Sequence, residues 1–160
     1  VTGVVTDAGP PHYLVLIEAI DLLPRLFGTV VMPEQVCAEL SRPRTPAPIR
    51  DWLASAPSWL SVQAMPDNEV GTRARIGKGE LSAIVLAKAT DASLVLMDDR
   101  TGVVEARAQG LEVTGTLGIL ERASAKGFVD LPLAIARLRS TNFRYRGQLL
   151  DNMVARHRSK

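Results

Sequence analysis

The stretch LVLMDDRTGVVEARAQGLEVTG, residues 94–115, passes from one short apolar run to another through a polar segment of helical character. Its opening, LVLM (94–97), has the length and unbroken apolar character of a strand buried on both faces. RTGVVEARAQG reads as a helix stopping at Gly110, and LEVTG (111–115) as the next strand. The first strand also runs straight into two like charges, Asp98 and Asp99. Turn chemistry is one explanation, because Asp closes strands and caps helices. A metal site is the other.

The alternation continues in both directions. VTGVVTD (1–7) is a buried first strand ended by Asp7, with AGPP as a breaker. HYLVLIEAIDLLPRLF (12–27) is helical and expected in two pieces, interrupted at Pro24. TVVM (29–32) is a strand, and Pro33 opens the helix EQVCAEL. RPRTPAP (42–48), with three prolines in seven residues, is a loop. RDWLASA is a short helix or turn, and WLSVQAM (59–65) an alternating strand at a sheet edge. PDNEVGTRARIGKG (66–79) is a polar loop, and ELSAIVLAKATD (80–91) a helix. TLGILERASAKG (116–127) is a helix with Gly127 at C′, and DLPLAIARLRST and GQLLDNMVARH form the last two. Short apolar strands alternating with helices indicate an α/β domain with a mostly parallel sheet and helices on both faces. At 160 residues one domain is expected over 1–160, with a core over 1–127 and a basic C-terminal helical segment over 128–160.

Composition narrows the classes. The hydrophobic fraction is 46% and the charged fraction 22%, as in a soluble globular chain. The formal charge of +2 permits an anionic partner without demanding one. The single cysteine, Cys37, excludes an internal disulfide and a multi-cysteine zinc site, and reads as a buried structural thiol. No apolar run is long enough to span a membrane and no secretory pattern opens the chain, so a cytoplasmic protein is expected.

In an open parallel sheet the functional crevice lies beyond the carboxyl ends of the strands. Asp7 follows GVVT and Asp98 and Asp99 follow LVLM, so neighbouring strands would bring three carboxylates to one sheet end. Such a cluster repels itself unless a cation compensates. Glu80 returns to the same end, and Glu39 lies near the buried edge of its helix. Each acid has an ordinary alternative: Asp7 as a strand terminator, Glu80 in a first helical turn, Asp98 as an N-cap, Glu34 and Glu39 as solvated helix acids. Together they suit a hard cation, Mg²⁺ or Mn²⁺, and metal-assisted hydrolysis of a nucleic-acid backbone. His12 and His157 are expected in surface or capping roles. GKGE is not a Walker A loop, because Lys78 precedes Gly79 rather than Ser or Thr. A phosphoacceptor receiver domain is also set aside, since its acidic pair belongs on the first strand.

The segments VVTDAGPPHYLVLIEAIDLLPRLFGTVVMPEQVCAEL, GKGELSAIVLAKA, LVLMDDRTGVVEARAQGLEV and TGTLGILERASAKG together resemble a PIN-domain protein related to the VapC-like ribonuclease toxins of toxin–antitoxin pairs. The resemblance implies a three-layer α/β/α domain with a central, mostly parallel sheet of about five strands. It implies Asp7, Glu39 rather than Glu34, Glu80, and Asp98 or Asp99 as the catalytic and metal-holding acids. Thr116 matches a position near the pocket rim. The implied activity is a Mg²⁺- or Mn²⁺-dependent endoribonuclease, the toxin of a type II pair, leaving 5′-phosphate and 3′-hydroxyl ends. The alternative is a catalytically weak PIN scaffold that binds RNA or a protein partner. Implied partners are an RNA substrate, an antitoxin inserting an Arg among the acids, and a second copy of the chain in a homodimer. Two departures mark a distinct branch: Glu80 stands where many relatives have Asp, and LMDD where many have a Thr two residues before the Asp.

From Glu121 onward nine Lys and Arg face three acids, and NFRYR interleaves aromatic and basic residues. Arg144 and Arg146 are therefore candidates for contact with an RNA backbone, the alternative being a solvated helical face.

Overall fold

A computed structural model describes residues 3–66, 76–144 and 147–158. Its centre is a five-stranded sheet in the order β3-β2-β1-β4-β5, parallel at every pairing. The strands are β1 (Val4–Thr6), β2 (Val30–Pro33), β3 (Leu60–Gln63), β4 (Leu94–Leu96) and β5 (Val113–Thr114). The chain builds outward from β1 through β2 to β3, then returns to lay β4 against the other side of β1. β1 pairs with both neighbours in register, Val5 opposite Val31 and Val95. The carboxyl ends of β1 and β4 therefore form the switch point where an open α/β sheet has its crevice.

The strands alternate sides as their period of two requires. Val4, Val30, Met32, Leu94 and Leu96 enter the larger apolar cluster, while Val5, Val95 and Met97 enter the smaller one on the opposite face. The larger cluster takes in α1 (Gly9–Leu16), α2 (Leu22–Phe27), α4 (Ala47–Ala54), α7 (Thr116–Ala125), α8 (Leu131–Arg139) and α9 (Gly147–Arg158). The smaller contains α5 (Lys78–Ala89) and α6 (Arg100–Ala108). α3 (Glu34–Leu40) contributes Val36 and Leu40 to the larger cluster and packs against α5. Residues 82–87 of α5 are all buried, as in a helix covered on every side. The sheet and both helical layers agree with the expected three-layer architecture, and β3 is the expected edge strand, with Val62 exposed.

Several local expectations are corrected. The break between α1 and α2 falls at residues 17–21, not at Pro24. Glu18 takes a left-handed φ of 60°, and the Ala19 N–H donates to Leu14 O at 2.7 Å to close the helix. Pro24 sits in the first turn of α2, where an N–H has no intrahelical partner to lose. For the same reason Gly9, Pro10 and Pro11 open α1 rather than breaking the chain, and Ala47 and Pro48 belong to α4 rather than to the preceding loop. Pro33 caps α3 instead of being its first residue. Cys37 is half-buried against the larger cluster.

The basic C-terminal segment is not an appendage. Leu131, Ile135, Leu138, Leu150 and Met153 lie in the same cluster as the sheet. Asp130 caps α8 by accepting from the Leu133 N–H at 3.1 Å. Among the described residues, Arg137 pairs with Glu18, Arg139 with Asp151 and Arg156 with Glu121, at exposed positions where such pairs stabilise little. His157 is not a simple surface residue: its Nδ1 shares a hydrogen bond with Ser124 Oγ at 3.2 Å. No described helix is long and apolar enough to cross a membrane.

Candidate active site

A cavity of about 780 Å³ opens at the carboxyl ends of β1 and β4, and Asp7, Glu39, Glu80, Asp98 and Asp99 all line it. Five acids from four separate stretches of chain thus meet at one place, as the strand-end reasoning anticipated.

Asp7 ends β1 and is only 5% exposed. Its N–H donates to Leu96 O at 2.8 Å, which extends the ladder with β4 and holds the side chain at the sheet end. Among the described residues, its Oδ1 is the buried side-chain oxygen with no hydrogen-bond partner. Burial, reinforced by Glu80, Glu39 and Asp98 and opposed by the Ala8 N–H, pushes the carboxyl up to about 7.

Glu39 reaches the same point from α3. A Cβ built on Gly79 would stand 2.9 Å from Glu39 Oε2 and 3.1 Å from Asp7 Oδ1. Both oxygens therefore lie against the same bare stretch of α5 backbone, no farther apart than those distances combined. Glu80, the next residue, is half-buried, and burial, with Asp99 and Glu39 nearby, raises its pKa against the pull of its own backbone N–H. Its side chain passes against Gly102, where a Cβ would come within 2.9 Å of Glu80 Cγ.

The adjacent aspartates behave differently. Asp98 accepts the Thr116 N–H on Oδ1 at 2.7 Å and the Thr116 hydroxyl on Oδ2 at 2.6 Å. The N–H is one of the unpaired donors at the start of α7, so Asp98 ties the end of β4 to that helix. Burial raises its pKa while the two Thr116 bonds oppose the rise. Gly9 and Gly115 close around it, since a Cβ on Gly9 would lie 2.9 Å from Oδ2 and one on Gly115 2.5 Å from Oδ1. Asp99 is exposed and caps α6, its Oδ2 accepting from the Gly102 N–H at 3.1 Å. The N-cap role foreseen for Asp98 belongs to Asp99. Thr116, expected near the rim, is fully buried behind Asp98.

An all-oxygen donor set with an unpartnered buried carboxylate oxygen near a second carboxylate fits a hard cation in its chemistry.

A further part of the lining was not foreseen. His12 and Tyr13 from α1, and Asn142, Phe143 and Arg144 from the segment after α8, line the same cavity. His12 is half-buried, not a surface or capping residue, and burial lowers its pKa. Arg144, offered by the sequence as a contact for an RNA backbone, lines this cavity, while Arg146 falls outside the described residues. The glycines at 9, 79, 102 and 115 were also missed. GKGE held a signal, a glycine one residue before an acid at a helix start, but its meaning depends on what approaches from α3.

A family model described as a PIN domain matches residues 3–159, in agreement with the resemblance carried by the sequence segments. No curated protein matches the chain.

Proposed function

The chain belongs to the PIN-domain family, whose members are generally nucleases, and from that membership and the acidic cavity we propose that it is a Mg²⁺- or Mn²⁺-dependent endoribonuclease. The observation that carries the reading is Asp7 Oδ1, buried without a partner and set with Glu39 Oε2 against the bare backbone of Gly79. A buried polar oxygen left unsatisfied is expensive, and its position is explained if the oxygen is a ligand.

Asp7, Glu39 and Glu80 would hold the metal, with Asp98 or Asp99 completing the set from the end of β4. The bound cation would position a phosphodiester, acidify the attacking water and stabilise the departing oxygen. The chain's own residues prepare that chemistry. Asp7, its carboxyl pushed up to about 7 mainly by burial, would have to be deprotonated to hold a cation, so occupancy is expected to rise with pH. Thr116 fixes the Asp98 carboxylate through both oxygens, and the glycines let the acids approach. Hydrolysis would leave 5′-phosphate and 3′-hydroxyl ends. A role as the toxin of a toxin–antitoxin pair, an antitoxin arginine among these acids and a homodimer extend the same reading.

The alternative is a catalytically weak scaffold that binds RNA or a protein. Incubating a mixed structured RNA pool with wild-type protein in Mn²⁺, wild type in EDTA, and Asp7→Asn in Mn²⁺ separates the two. Cleavage in the first sample alone supports the nuclease. Equal cleavage by folded Asp7→Asn refutes the acid assignment, and no cleavage by folded, Mn²⁺-loaded wild type favours the scaffold.

A further inference from the structure

Away from the acidic cavity, two arginines are held in place without an acid to neutralise them. α2 and α7 pack side by side, and each sends an arginine onto a ring at the other's end. The Arg25 guanidinium of α2 lies 4.1 Å from the centroid of Phe128, just beyond α7. That of Arg122 on α7 lies 6.0 Å from the centroid of Phe27, the last residue of α2. Both distances are within the range of a cation–π contact. Phe27 and Phe128 are half-buried against the larger cluster, so the rings are anchored while the cations stay exposed. A guanidinium resting on a ring is held by one face and keeps its N–H edge as a set of donors.

Lys126 adds a third exposed cation one turn after Arg122 on the same side of α7. None of the three pairs with a carboxylate among the described residues. The acids beside them do not cancel the charge: Glu121 already stands 3.7 Å from Arg156, and Asp21, one turn before Arg25, is one carboxylate against three cations. In a chain whose formal charge is only +2, the seam is a local excess that attracts an anion. Its place in the fold says which. α7 follows the carboxyl end of β5, and α2 leads into the amino end of β2, so α7 runs from the cavity end of the sheet toward the seam. It starts at Thr116, which holds Asp98 through both carboxylate oxygens. At about 1.5 Å per residue, Arg122 stands about 9 Å and Lys126 about 15 Å along the helix from that point. Phosphates in a stacked strand recur about every 3.4 Å, so those distances match about three to five phosphates leading away from the cavity. An acidic peptide could meet the same guanidiniums, but only a polyanion that also enters the cavity has a reason to follow α7.

We propose that the seam between α2 and α7 is a second contact site for the RNA backbone, where Arg25, Arg122 and Lys126 take phosphates several nucleotides from the bond that is cut. The rings pre-set the two guanidiniums, and the seam anchors the part of a long substrate that the acids repel. The distance from the cut rests on the nuclease reading; the binding does not require hydrolysis.

The test is fluorescence anisotropy of a labelled 20-nucleotide RNA across a salt series, in Mg²⁺ and an Asp7→Asn background that prevents cleavage. The double variant Arg25→Gln with Arg122→Gln keeps both apolar stems and removes two exposed charges. It should weaken binding at least about fivefold and lower the salt slope by about 1.4, the value for two phosphate contacts on a single strand. Arg25→Lys with Arg122→Lys should restore the slope. With Asp7 intact and Mn²⁺ present, the Gln pair should raise KM for the 20-mer about fivefold and leave kcat unchanged. No binding of the 20-mer, or an unaltered slope in the Gln pair, overturns the proposal. Displacement of the RNA by an equal concentration of 20-residue polyglutamate also overturns it, and would make the partner an acidic protein segment. A lowered slope without wild-type cleavage in Mn²⁺ would sink the nuclease reading and spare the seam, and cleavage with an unaltered slope would do the reverse.

Discussion

Replacing Asp7 by Asn in metal-free protein is expected to stabilise the fold, and by more at high pH than at low. The carboxyl is 5% exposed, one of its oxygens has no partner, and its pKa is about 7 against an ordinary 3.8. An acid whose pKa is raised by folding binds more protons folded than unfolded, so stability falls as pH climbs. The penalty is absent well below 3.8, grows between the two values and is complete above about 7. At about 1.4 kcal/mol per pKa unit the full penalty is about 4 kcal/mol, of which roughly 2 is already present at pH 5. Asn keeps the shape and removes the charge. The advantage of Asp7→Asn over wild type should therefore widen by about 2–3 kcal/mol between pH 5 and pH 8.5. Comparing the variants at each pH cancels pH effects common to both. The assay is urea unfolding of both proteins at both pH values in EDTA. A difference that does not change with pH, or an Asn variant less stable than wild type at pH 8.5, refutes the reasoning. Mn²⁺ should then narrow the gap at pH 8.5, since a ligand at a hundredfold excess over its Kd adds about 2.7 kcal/mol to the protein that binds it.

Gly79→Ala should leave stability within about 1 kcal/mol, because Ala favours a helix and the Glu39 carboxylate can swing aside. Mn²⁺ affinity by calorimetry should nevertheless fall about 10–100-fold, the range for disturbing what orients a ligand, and unchanged affinity would show that Gly79 has no part in the site. Thr116→Val removes a buried 2.6 Å hydrogen bond to a carboxylate and should lose about 1.5–3 kcal/mol in denaturant unfolding. It should also move the onset of Mn²⁺ binding to higher pH, since the Thr116 bonds hold the Asp98 pKa down; an unaltered onset would argue that Asp98 is remote from the metal. Asp99→Ser keeps an N-cap on α6 whereas Asp99→Ala loses it at about 1 kcal/mol. If both retain wild-type RNA cleavage, Asp99 is only a cap, and if both lose it together, its carboxylate belongs to the chemistry.

Where residues near in sequence carry the signal, the reading held. The strand runs read in 1–7, 29–32 and 94–97, the buried helix from Glu80 (which begins two residues earlier, at Lys78) and the left-handed Gly127 follow from local pattern and backbone sterics. The prolines misled where the rule depends on a position within a turn, because the same residue breaks a helix interior and is tolerated in its first turn. Asp98 and Asp99 are alike in sequence and opposite in role. Both follow a strand, but only contact with Thr116, eighteen residues on, identifies Asp98 as the one tied to α7.

By itself, the sequence determined the alternation of strands and helices, the kind of sheet they form, and the placing of carboxylates where strands end. Those features depend on periodicity and on neighbours a few residues apart. The tertiary structure decided the rest: that β4 returns to the open side of β1, that Asp7 and Glu39 both reach the bare backbone at Gly79, and that α1 and the segment after α8 line the cavity with rings and an arginine. Such relations come from how layers pack, with separations of up to 129 residues in the Tyr13–Asn142 bond. No local pattern encodes them, because the free energy that selects them belongs to the packed core as a whole.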